Sequence, residues 1–509
     1  MNGKVVLVGA GPGDPGLMTV KGLEVIQKAD VIVYDRLTSP LLLKHKNPGA
    51  ELVYVGELPD RHALTQEEIH ELLVQKAKEG KFVCRLKGDD PFFFGRGGEE
   101  AERCVEEGIP YEVVPGVTSA VAVPAYAGIP VTHRDFNASF VVIAGQDRAE
   151  KAETSVRWDL IAAAHDTLVF PMEVGNLPYI TEQLIKHGKS PETPVALICR
   201  GTRVEQETLT GTLADIAEKM RQTDFRSPAV IVVGEVVKLR EKLAWFEKKP
   251  LFGKRILVTR ARSQMSVLSE KIRELGGEPL EFPVIRITSP ARQDLLDQAL
   301  RCLGSYDWVI FTSANGVRRF FLRLRELGID IRSMHKAKVA AIGPKTAEPL
   351  LERGIQVELL PDEYRAESLV EVLRPHVKPG ERILLPRADI ARKVLSEELA
   401  ALGCEVTEVD AYDTRMNAEN AGEVVKLLKE EAIHVITFTS PSTVRNFLKA
   451  VGTLEPDVHS LLARPSIVCI GPVTAKAAEE EGLNVDAVAD DYTIDGLLDA
   501  VRKLPAGGK

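Results

Sequence analysis

The sequence predicts an α/β protein made of two modules in series. Short apolar runs such as KVVLVGA, DVIVYD and WVIFTS alternate with segments of helical periodicity along almost the whole chain of 509 residues. Apolar strands separated by helices are typical of parallel sheets that carry helices on both faces. A chain of this length also exceeds a single hydrophobic core. We therefore expect several α/β domains.

The boundary between the two modules is predicted within EKLAWFEKKPLFGK, residues 241–254. A charged helix end, Pro250 and Gly253 precede a new apolar strand there. Proline and glycine are the strongest local signals for a break between elements. We expect a first module at residues 1–246 and a second at residues 251–505.

The composition excludes several classes of protein. Hydrophobic residues make up 44% and charged residues 27% of the chain, and the net charge of −9 gives no electrostatic footprint for nucleic acid. No stretch approaches the roughly 20 apolar residues of a membrane-spanning helix, and the N-terminus does not resemble a secretory signal. Six dispersed cysteines without a CxxC pair indicate reduced thiols and no structural zinc. We expect a cytoplasmic protein without a metal, a nucleic-acid partner or a membrane segment.

The second module contains an internal duplication. RILVTRARSQMSVLSEKIRELGGE, which begins at Arg255, matches RILLPRADIARKVLSEELAALGCE, which begins 127 residues later at Arg382. VIFTSANGVRRFF likewise matches VITFTSPSTVRNFL. This period is that of a duplicated domain and not of a solenoid. It predicts two similar lobes that face each other across a cleft.

The first module has a glycine-rich turn that fits a dinucleotide fingerprint only in part. GPGDPG (residues 11–16) follows a strand, and Asp35 ends the second strand about 20 residues later, as in a Rossmann motif. Pro12 and Pro15, however, lack the backbone N–H groups that would have to wrap a pyrophosphate. A plain tight turn between strand and helix is the alternative.

Two further turns change the balance towards a different ligand. KGDDP (residues 87–91) leads into FFFGRGG, and PGVTSA (residues 115–120) is another turn of small residues. Glycine lets the backbone approach a ligand, and the two carboxylates can accept hydrogen bonds from hydroxyl or amino groups. Together the turns suit a compact cationic nucleoside without phosphates, such as S-adenosylmethionine. Core packing for the phenylalanines and turn capping for Asp35 remain the alternatives.

An ordered set of motifs in residues 3–245 resembles uroporphyrinogen-III C-methyltransferase, a tetrapyrrole methylase. The motifs are VGAGPGDPGLMT, YDRLTSP, RLKGDDPFFFGRGGEE, PGVTSA, AGIPVTHRD and the turn at Gly201. The resemblance implies two α/β domains, at about 1–116 and 117–246, with S-adenosylmethionine between them. It also implies methylation of two pyrrole carbons of uroporphyrinogen III to give precorrin-2, with Asp35 as a base. The implied cofactor contacts are Pro12, Gly88, Asp89, Asp90, Phe93, Thr118, Ser119, Met172 and Gly201.

The chain departs from that family pattern at four positions. Glu57 stands where the family usually has lysine, and Asp89 replaces the second glycine of a GGDP turn. Pro171 and Glu173 flank Met172 where tyrosine and glycine are usual. These departures leave open an impaired methyltransferase beside an active second module, which resembles a synthase as described below. A dinucleotide-binding oxidoreductase that uses GPGDPG with Asp35 is the other alternative.

In the second module, each copy of the duplication has two turns at which a strand enters a helix. FTSANG (residues 311–316) and FTSPST (438–443) are rich in hydroxyl groups, and IGPKT (342–346) matches IGPVT (470–474). Helix N-termini and hydroxyl groups bind anions, so these turns predict a cleft for a substrate with many carboxylates. Simple helix capping is the alternative. The candidate substrate residues are Arg260, Thr312, Ser313, Gly343, Thr346, Arg387, Thr439, Ser440, Gly471 and Thr474.

The ordered series LVTRA, FTSANGV, AAIGPKTA, LLPRA, VDAYDT, FTSPSTV and CIGPVTA resembles uroporphyrinogen-III synthase. The resemblance implies one lobe at 251–284 plus 416–505 and another at 285–415, joined by a two-stranded hinge. It implies closure of hydroxymethylbilane into uroporphyrinogen III with loss of water. Tyr412, expected at a strand end near the hinge, would assist departure of the hydroxyl group. The product of this module would then be the substrate of the first, and a homodimer through the first module is expected from that family.

Overall fold

The structure is a computed structural model that describes residues 3–56, 64–144, 156–164, 166–171, 174–223, 225, 227–259, 262–389 and 393–505. The chain divides into two compact units. One comprises Met1–Arg255 with Glu270–Pro279, and the other comprises Ile256–Ser269 with Leu280–Lys509. Each unit contains helices and sheets, and the expected α/β class is confirmed.

The first unit contains two five-stranded sheets. The first sheet has the order β3-β2-β4-β1-β5 and is parallel throughout, while the second has the order β6-β7-β10-β8-β9. The strands are β1 (Lys4–Gly9), β2 (Val31–Tyr34), β3 (Glu51–Tyr54), β4 (Phe82–Lys87), β5 (Tyr111–Val114), β6 (Phe140–Val142), β7 (Thr167–Pro171), β8 (Pro194–Cys199), β9 (Glu207–Thr212) and β10 (Ala229–Val233).

The expectation of parallel sheets is wrong for the second sheet. Only β6 and β7 run parallel, whereas β10 is antiparallel to both β7 and β8, and β8 is antiparallel to β9. The connection from β8 to β9 spans only residues 200–206, and such a short connection joins antiparallel neighbours. Short apolar strands look alike in both arrangements, so the sequence pattern could not separate them.

Helices lie between most of these strands and bury both faces of the first sheet. Along β1, Val5 and Leu7 belong to one core cluster, and Val6 and Val8 belong to another. Successive side chains of a strand point to opposite faces, so β1 is a central strand covered on both sides. The helices are α1 (Val20–Lys28), α2 (Pro40–Leu43), α3 (Gln66–Lys78), α4 (Gly97–Glu106), α5 (Ser119–Tyr126), α6 (Trp158–Ala164), α7 (Leu177–Lys186), α8 (Ile216–Arg221) and α9 (Arg240–Leu243).

The remaining strands form two further five-stranded sheets. Their orders are β12-β11-β18-β19-β20 and β13-β17-β16-β14-β15. The strands are β11 (Arg255–Val258), β12 (Glu278–Glu281), β13 (Ile285–Thr288), β14 (Trp308–Phe311), β15 (Lys338–Ala341), β16 (Arg382–Ala388), β17 (Glu405–Met416), β18 (Val435–Phe438), β19 (Ser466–Cys469) and β20 (Ala487–Val488).

The duplication predicted from the sequence appears as the same strand order in both sheets. In one sheet β11, β18 and β19 are parallel neighbours, and in the other β16, β14 and β15 are parallel neighbours in the corresponding order, so each sheet combines strands from both copies. The helices of this half are α10 (Arg262–Glu274), α11 (Gln293–Arg301), α12 (Ala314–Glu326), α13 (Pro344–Leu351), α14 (Ala366–Leu373), α15 (Val394–Ala401), α16 (Ala421–Lys429), α17 (Pro441–Gly452), α18 (Val458–Leu462), α19 (Pro472–Glu480) and α20 (Ile494–Arg502).

Strand β17 is longer than the sequence indicated. Its first part pairs with β16, and its last four residues pair antiparallel with β13. Tyr412 therefore lies inside a strand, and its expected position at a strand end was wrong. Beyond β17, the Asn417 N–H and side chain donate to the carbonyls of Val284 and Pro283, so two chain segments run side by side there.

A membrane-spanning helix and a disulfide are both absent from the described ranges. No helix in them is long and apolar enough to cross a membrane. The six cysteines all lie in this part of the chain, and each is a free thiol.

Candidate functional sites

The first candidate site is built from three turns that meet at one edge of the first sheet. Strands β1 and β4 are parallel neighbours, so the turns that follow them leave the sheet at the same end. Backbone hydrogen bonds join these turns, from the Asp89 N–H to the Gly11 carbonyl (2.9 Å) and from the Gly11 N–H to the Asp89 carbonyl (3.2 Å). The third turn is tied in because the Gly116 N–H donates to the Asp90 carboxylate at 2.9 Å.

Close backbone approach at this edge requires glycine. A Cβ atom on Gly9 would lie 2.4 Å from the Gly116 Cα atom, and one on Gly116 would lie 2.2 Å from the Asp89 carbonyl oxygen. Neither contact is sterically possible without movement of the backbone. The turns are thus packed directly on one another, and a small ligand could contact all three.

The two carboxylates of the KGDDP turn have different environments. Asp90 accepts hydrogen bonds from the backbone N–H groups of Phe92 (2.8 Å) and Gly116, which shape the turn. Asp89 has a left-handed backbone (φ 58°), and its carboxylate accepts a short hydrogen bond from the Ser119 hydroxyl. Burial raises the pKa of the Asp89 carboxyl, and the hydrogen bonds from Ser119 oppose this shift.

Other predicted cofactor residues surround these turns. Thr118 caps α5 by accepting from the Ala120 N–H at 3.3 Å. Gly201 is buried against Val123, and Pro12 is partly exposed in its turn. Phe93 packs against a core cluster, as the alternative for the phenylalanine run proposed.

The neighbours of Phe93 do not follow that alternative. Phe92 and Phe94 are 56% and 45% exposed, so only the central ring of the run is in the core. Met172, Glu57 and Glu173 lie outside the described residues. Pro171 is buried at the end of β7, where it pairs with Val230.

A tyrosine that the sequence pattern did not reveal locks the glycine-rich turn. The Tyr126 hydroxyl donates to the Asp14 carboxylate at 2.7 Å, and the Asp14 N–H donates to the Thr202 hydroxyl oxygen at 3.1 Å. Burial and the nearby Asp14 both raise the pKa of Tyr126, so its hydroxyl stays a donor. This chain of bonds connects the turn to α5 and to the turn at Gly201.

Asp35 follows β2 at the same end of the sheet and has two partners. One carboxylate oxygen accepts from the Leu37 N–H at 3.1 Å, which is the turn capping that the sequence left open. The other accepts from the Arg85 guanidinium at 3.3 Å. The carboxylate is a quarter exposed, so it remains reachable from solvent.

Behind Asp35 lies a buried charge cluster formed by Arg85, Lys87 and Glu100. One Glu100 oxygen accepts from Arg85 Nε at 3.1 Å and from Lys87 Nζ at 2.8 Å. Burial, followed by the positive charge of Arg85, lowers the pKa of Lys87, and Glu100 opposes that shift. This cluster was not predicted from the sequence, although the two cations within the apolar strand FVCRLK were a usable signal.

The second candidate site contains a pair of hydroxyl groups in the first copy of the duplication. Ser313 caps α12 by accepting from the Gly316 N–H at 3.0 Å, and its oxygen lies 3.1 Å from the Tyr412 hydroxyl. Tyr412 is only 6% exposed, and burial raises its pKa against the opposing hydrogen bond of Ser313. The hydroxyl of Tyr412 therefore stays protonated at neutral pH.

The matching serine in the second copy has a different environment. Ser440 and Thr443 form a reciprocal capping box at the start of α17, with N–H to oxygen distances of 3.4 and 3.2 Å. Helix capping is thus confirmed for both Ser313 and Ser440. Thr312 and Thr439 precede the two caps and are partly buried.

The two Ile-Gly-Pro turns are each covered by a tyrosine. A Cβ atom on Gly343 or Gly471 would lie 3.1 Å from the ring of Tyr364 or Tyr492, respectively. These rings are 63% and 67% exposed, and the sequence analysis missed them although PDEYRAESL matches ADDYTIDGL in the duplication. Thr346 and Thr474 in the same turns are buried beneath the surface.

Arg387, a candidate substrate residue, is buried and lies inside β16. The strand extends to Ala388 because β17 pairs with it along its whole length. The Arg387 guanidinium pairs with the Glu408 carboxylate at 2.8 Å. Arg260, its counterpart in the other copy, lies outside the described residues. Within the described ranges, no cluster of three or more metal-ligating side chains occurs.

Two family models match consecutive parts of the chain. Residues 4–217 match the tetrapyrrole (corrin/porphyrin) methylases, and residues 266–499 match uroporphyrinogen-III synthase HemD. The first match covers the glycine-rich turns and Asp35, and the second covers Tyr412 and the four strand-to-helix turns of the duplication.

Relatives extend the match to nearly the full length. The chain is 40% identical over 506 residues to the porphyrin biosynthesis protein HemD of Ruminiclostridium josui, which covers 99% of both chains. It is 38% identical over 479 residues to a uroporphyrinogen-III C-methyltransferase of Bacillus subtilis (strain 168), with 93% of each chain covered. A crystal structure of uroporphyrin-III C-methyl transferase from Thermus thermophilus with S-adenyl homocysteine is 38% identical, covering 47% of this chain and 100% of that one with a TM-score of 0.40.

The buried charge cluster yields a stability prediction. Glu100→Gln should lower the free energy of unfolding of the first unit by about 3–5 kcal/mol, because Arg85 and Lys87 would lose their buried counter-charge. Glu99→Gln alters an exposed neighbour paired with Arg96 and should cost about 0.5 kcal/mol or less. Urea denaturation combined with hydrogen exchange of β4 compares the two variants. Equal stability of both would contradict a structural role for the cluster.

Proposed function

We propose that this chain, which belongs to the tetrapyrrole methylase family in its first half and to the uroporphyrinogen-III synthase family in its second, catalyses two consecutive reactions. It is a bifunctional enzyme of tetrapyrrole biosynthesis that uses S-adenosylmethionine. The second half closes hydroxymethylbilane into uroporphyrinogen III with loss of water. The first half then methylates uroporphyrinogen III twice to give precorrin-2, the branch that leads to sirohaem and cobalamin.

The observation that supports this proposal is the similarity to relatives along nearly the whole chain, together with one candidate site in each half. We place the domain limits at 1–246 and 251–505, with lobes at 251–284 plus 416–505 and at 285–415. A homodimer through the first half and a cytoplasmic location remain predictions of the sequence.

The residues of the first site suit a cationic nucleoside. The turns around Gly11, Asp89 and Gly116 are joined by hydrogen bonds. The carboxylate of Asp89 in these turns suits a positively charged ligand and would repel a phosphate. When bound, S-adenosylmethionine supplies a methyl group attached to a positively charged sulfur. The chain must hold an electron-rich pyrrole carbon in line with that group and accept the proton that the ring releases.

Asp35 is the proposed proton acceptor. Its carboxylate is held by the Leu37 N–H and by Arg85, and a quarter of its surface is open to solvent. A carboxylate fixed by two donors needs little reorganisation when a proton arrives. Arg85 in turn is anchored by Glu100, so the base rests on a rigid buried support.

In the second half, Tyr412 is proposed to donate a proton to the departing hydroxyl of hydroxymethylbilane. Ser313 fixes the tyrosine hydroxyl, and burial keeps it protonated. The C–O bond breaks and water leaves, and the azafulvene cation that remains attacks the substituted carbon of the terminal pyrrole to give a spiro intermediate. This intermediate reopens at its other bond, so that the terminal ring is inverted before the final ring closure. Release of a ring proton then restores the tyrosine, so atoms and charges balance.

The carboxylates of the bilane require donors, which the turns of the duplication provide. Helices α12, α13, α17 and α19 all begin directly after a parallel strand of their own sheet. Free N–H groups at such helix starts, with the hydroxyls of Thr312 and Thr439, are suited to carboxylates. Few catalytic side chains are needed because the main task is to hold a folded substrate.

A dinucleotide-dependent oxidoreductase is not favoured. The near-full-length relatives carry names of porphyrin biosynthesis and methyl transfer. Asp35, which would have to bind a ribose, already accepts from Leu37 and Arg85. An active synthase beside an impaired methyltransferase remains distinct from the main proposal and gives a different product.

The function predicts the products of a single assay. Purified protein given hydroxymethylbilane alone should form the type III isomer of uroporphyrinogen, and with S-adenosylmethionine it should form dimethylated precorrin-2. Mass spectrometry and isomer separation identify both products. Type III product without any methylation would instead support the impaired methyltransferase. Formation of only the type I isomer, which arises spontaneously, would reject the synthase.

Asp35→Asn should reduce methyl transfer by about 100-fold or more, because the amide cannot accept the proton. S-adenosylmethionine should still bind, since the amide retains the shape of the carboxylate and the three turns are unchanged. Cyclisation by the second half of the same molecule is the internal control and should not change. Methylation at the original rate in the variant would show that Asp35 is only a turn cap.

Tyr412→Phe should slow formation of the type III isomer by about tenfold, because the proton donor is lost. The effect is modest because the substrate loses its hydroxyl group readily even without a proton donor. Tyr306→Phe is a matched control, since Tyr306 is also a buried tyrosine of this unit but belongs to a core cluster. The measurement is the initial rate of type III product. A similar rate for wild type and Tyr412→Phe would reject the proposed role.

A further inference from the structure

Asp89 lies at the centre of the first site, where the three turns meet. Its backbone is bonded to Gly11 in both directions, and its carboxylate accepts from the Ser119 hydroxyl. Asp89 therefore joins its own KGDDP turn to the glycine-rich turn and to the start of α5. A group on the ligand that reaches these turns would also meet this carboxylate.

The backbone at Asp89 is in a conformation that favours glycine. Its φ of 58° lies in the left-handed region, which costs conformational energy for a residue with a Cβ atom. Asparagine and aspartate tolerate this region better than most residues, but glycine would occupy it without strain. The fold would therefore accommodate glycine at this position with less strain than aspartate. The presence of aspartate instead points to a role for its carboxylate.

The charge of this carboxylate is not balanced within the protein. Among the described residues, no lysine or arginine forms an ion pair with Asp89 or Asp90, whereas nearby Asp35 and Glu100 both have cationic partners. Burial disfavours the charged form of Asp89, and the neighbouring charge of Asp90 adds to this effect. A partly buried anion without a cation is costly, and a bound cation relieves that cost.

We propose that the Asp89 carboxylate is a charge-recognition group that pairs with the positive charge on the methionine part of the bound cofactor. The inference rests on the proposed methyltransferase function and adds a determinant of ligand choice to it. S-adenosylmethionine has two cations in that part, a sulfonium and an ammonium group. Methyl transfer removes only the sulfonium charge, so pairing with the sulfonium makes this site favour cofactor over product.

Binding of three nucleosides to the full chain tests the proposal. Isothermal titration compares S-adenosylmethionine, S-adenosylhomocysteine, which lacks the sulfonium, and 5′-methylthioadenosine, which carries neither cation. Asp89→Asn keeps the shape and removes the charge. It should weaken S-adenosylmethionine by about tenfold and leave 5′-methylthioadenosine within about twofold. The response of S-adenosylhomocysteine tells which cation is recognised, because only ammonium pairing weakens it equally.

Two further variants separate charge from backbone effects. Asp89→Gly removes the carboxylate and relaxes the backbone, and it should weaken S-adenosylmethionine as Asp89→Asn does. Glu112→Gln removes one negative charge from β5, where Glu112 pairs with Lys4, and should change none of the affinities.

Three results would overturn the inference. They are equal weakening of 5′-methylthioadenosine and S-adenosylmethionine by Asp89→Asn, no weakening of either, or wild-type affinity for S-adenosylmethionine in Asp89→Gly. Failure of the wild-type chain to bind S-adenosylmethionine would reject the methyltransferase function itself and this inference with it. Unchanged affinities in the variants of a chain that does bind would reject only the role of Asp89.

Discussion

The direct packing of backbone on backbone at one edge of the first sheet is the constraint on which the methyltransferase site depends. Gly9 and Gly116 leave no space for a Cβ atom, and paired hydrogen bonds join Gly11 to Asp89. Parallel strands bring their carboxyl ends to one edge, and glycine lets the following turns come into contact. Asp35 joins the same edge because β2 is the other neighbour of β4.

In the second half, the same arrangement of strand ends and helix starts occurs twice. Each copy of the duplication places two helix starts directly after neighbouring parallel strands, β14 and β15 in one copy and β18 and β19 in the other. Only the first copy adds a catalytic candidate, because Tyr412 reaches Ser313 whereas Ser440 forms a capping box with Thr443. The duplication therefore repeats the same helix starts, and the contact between Tyr412 and Ser313 distinguishes one copy from the other.

Much of this could be predicted from local sequence, and the rest depends on distant contacts. The glycine turns, the capping serines and the duplication are encoded in short patterns, which is why their positions were predictable. The Tyr126–Asp14 and Tyr412–Ser313 hydrogen bonds join residues 112 and 99 positions apart, which no local pattern encodes. The mixed second sheet and the full length of β17 depend on which strands pair, and strand composition does not determine that choice. Met172, Arg260 and Glu57 lie outside the described residues and stay predictions.

The ligands proposed for the two halves differ in charge. The chain carries a net charge of −9, which opposes substrates with many carboxylates at long range. Salt screens such repulsion beyond about 8 Å at physiological ionic strength, so short-range donors decide binding. In the second half the proposed donors are backbone N–H groups and hydroxyls, which attract carboxylates without adding net charge. In the first half the cofactor is a cation, and the proposed pairing is with Asp89, whose carboxylate has no cationic partner among the described residues.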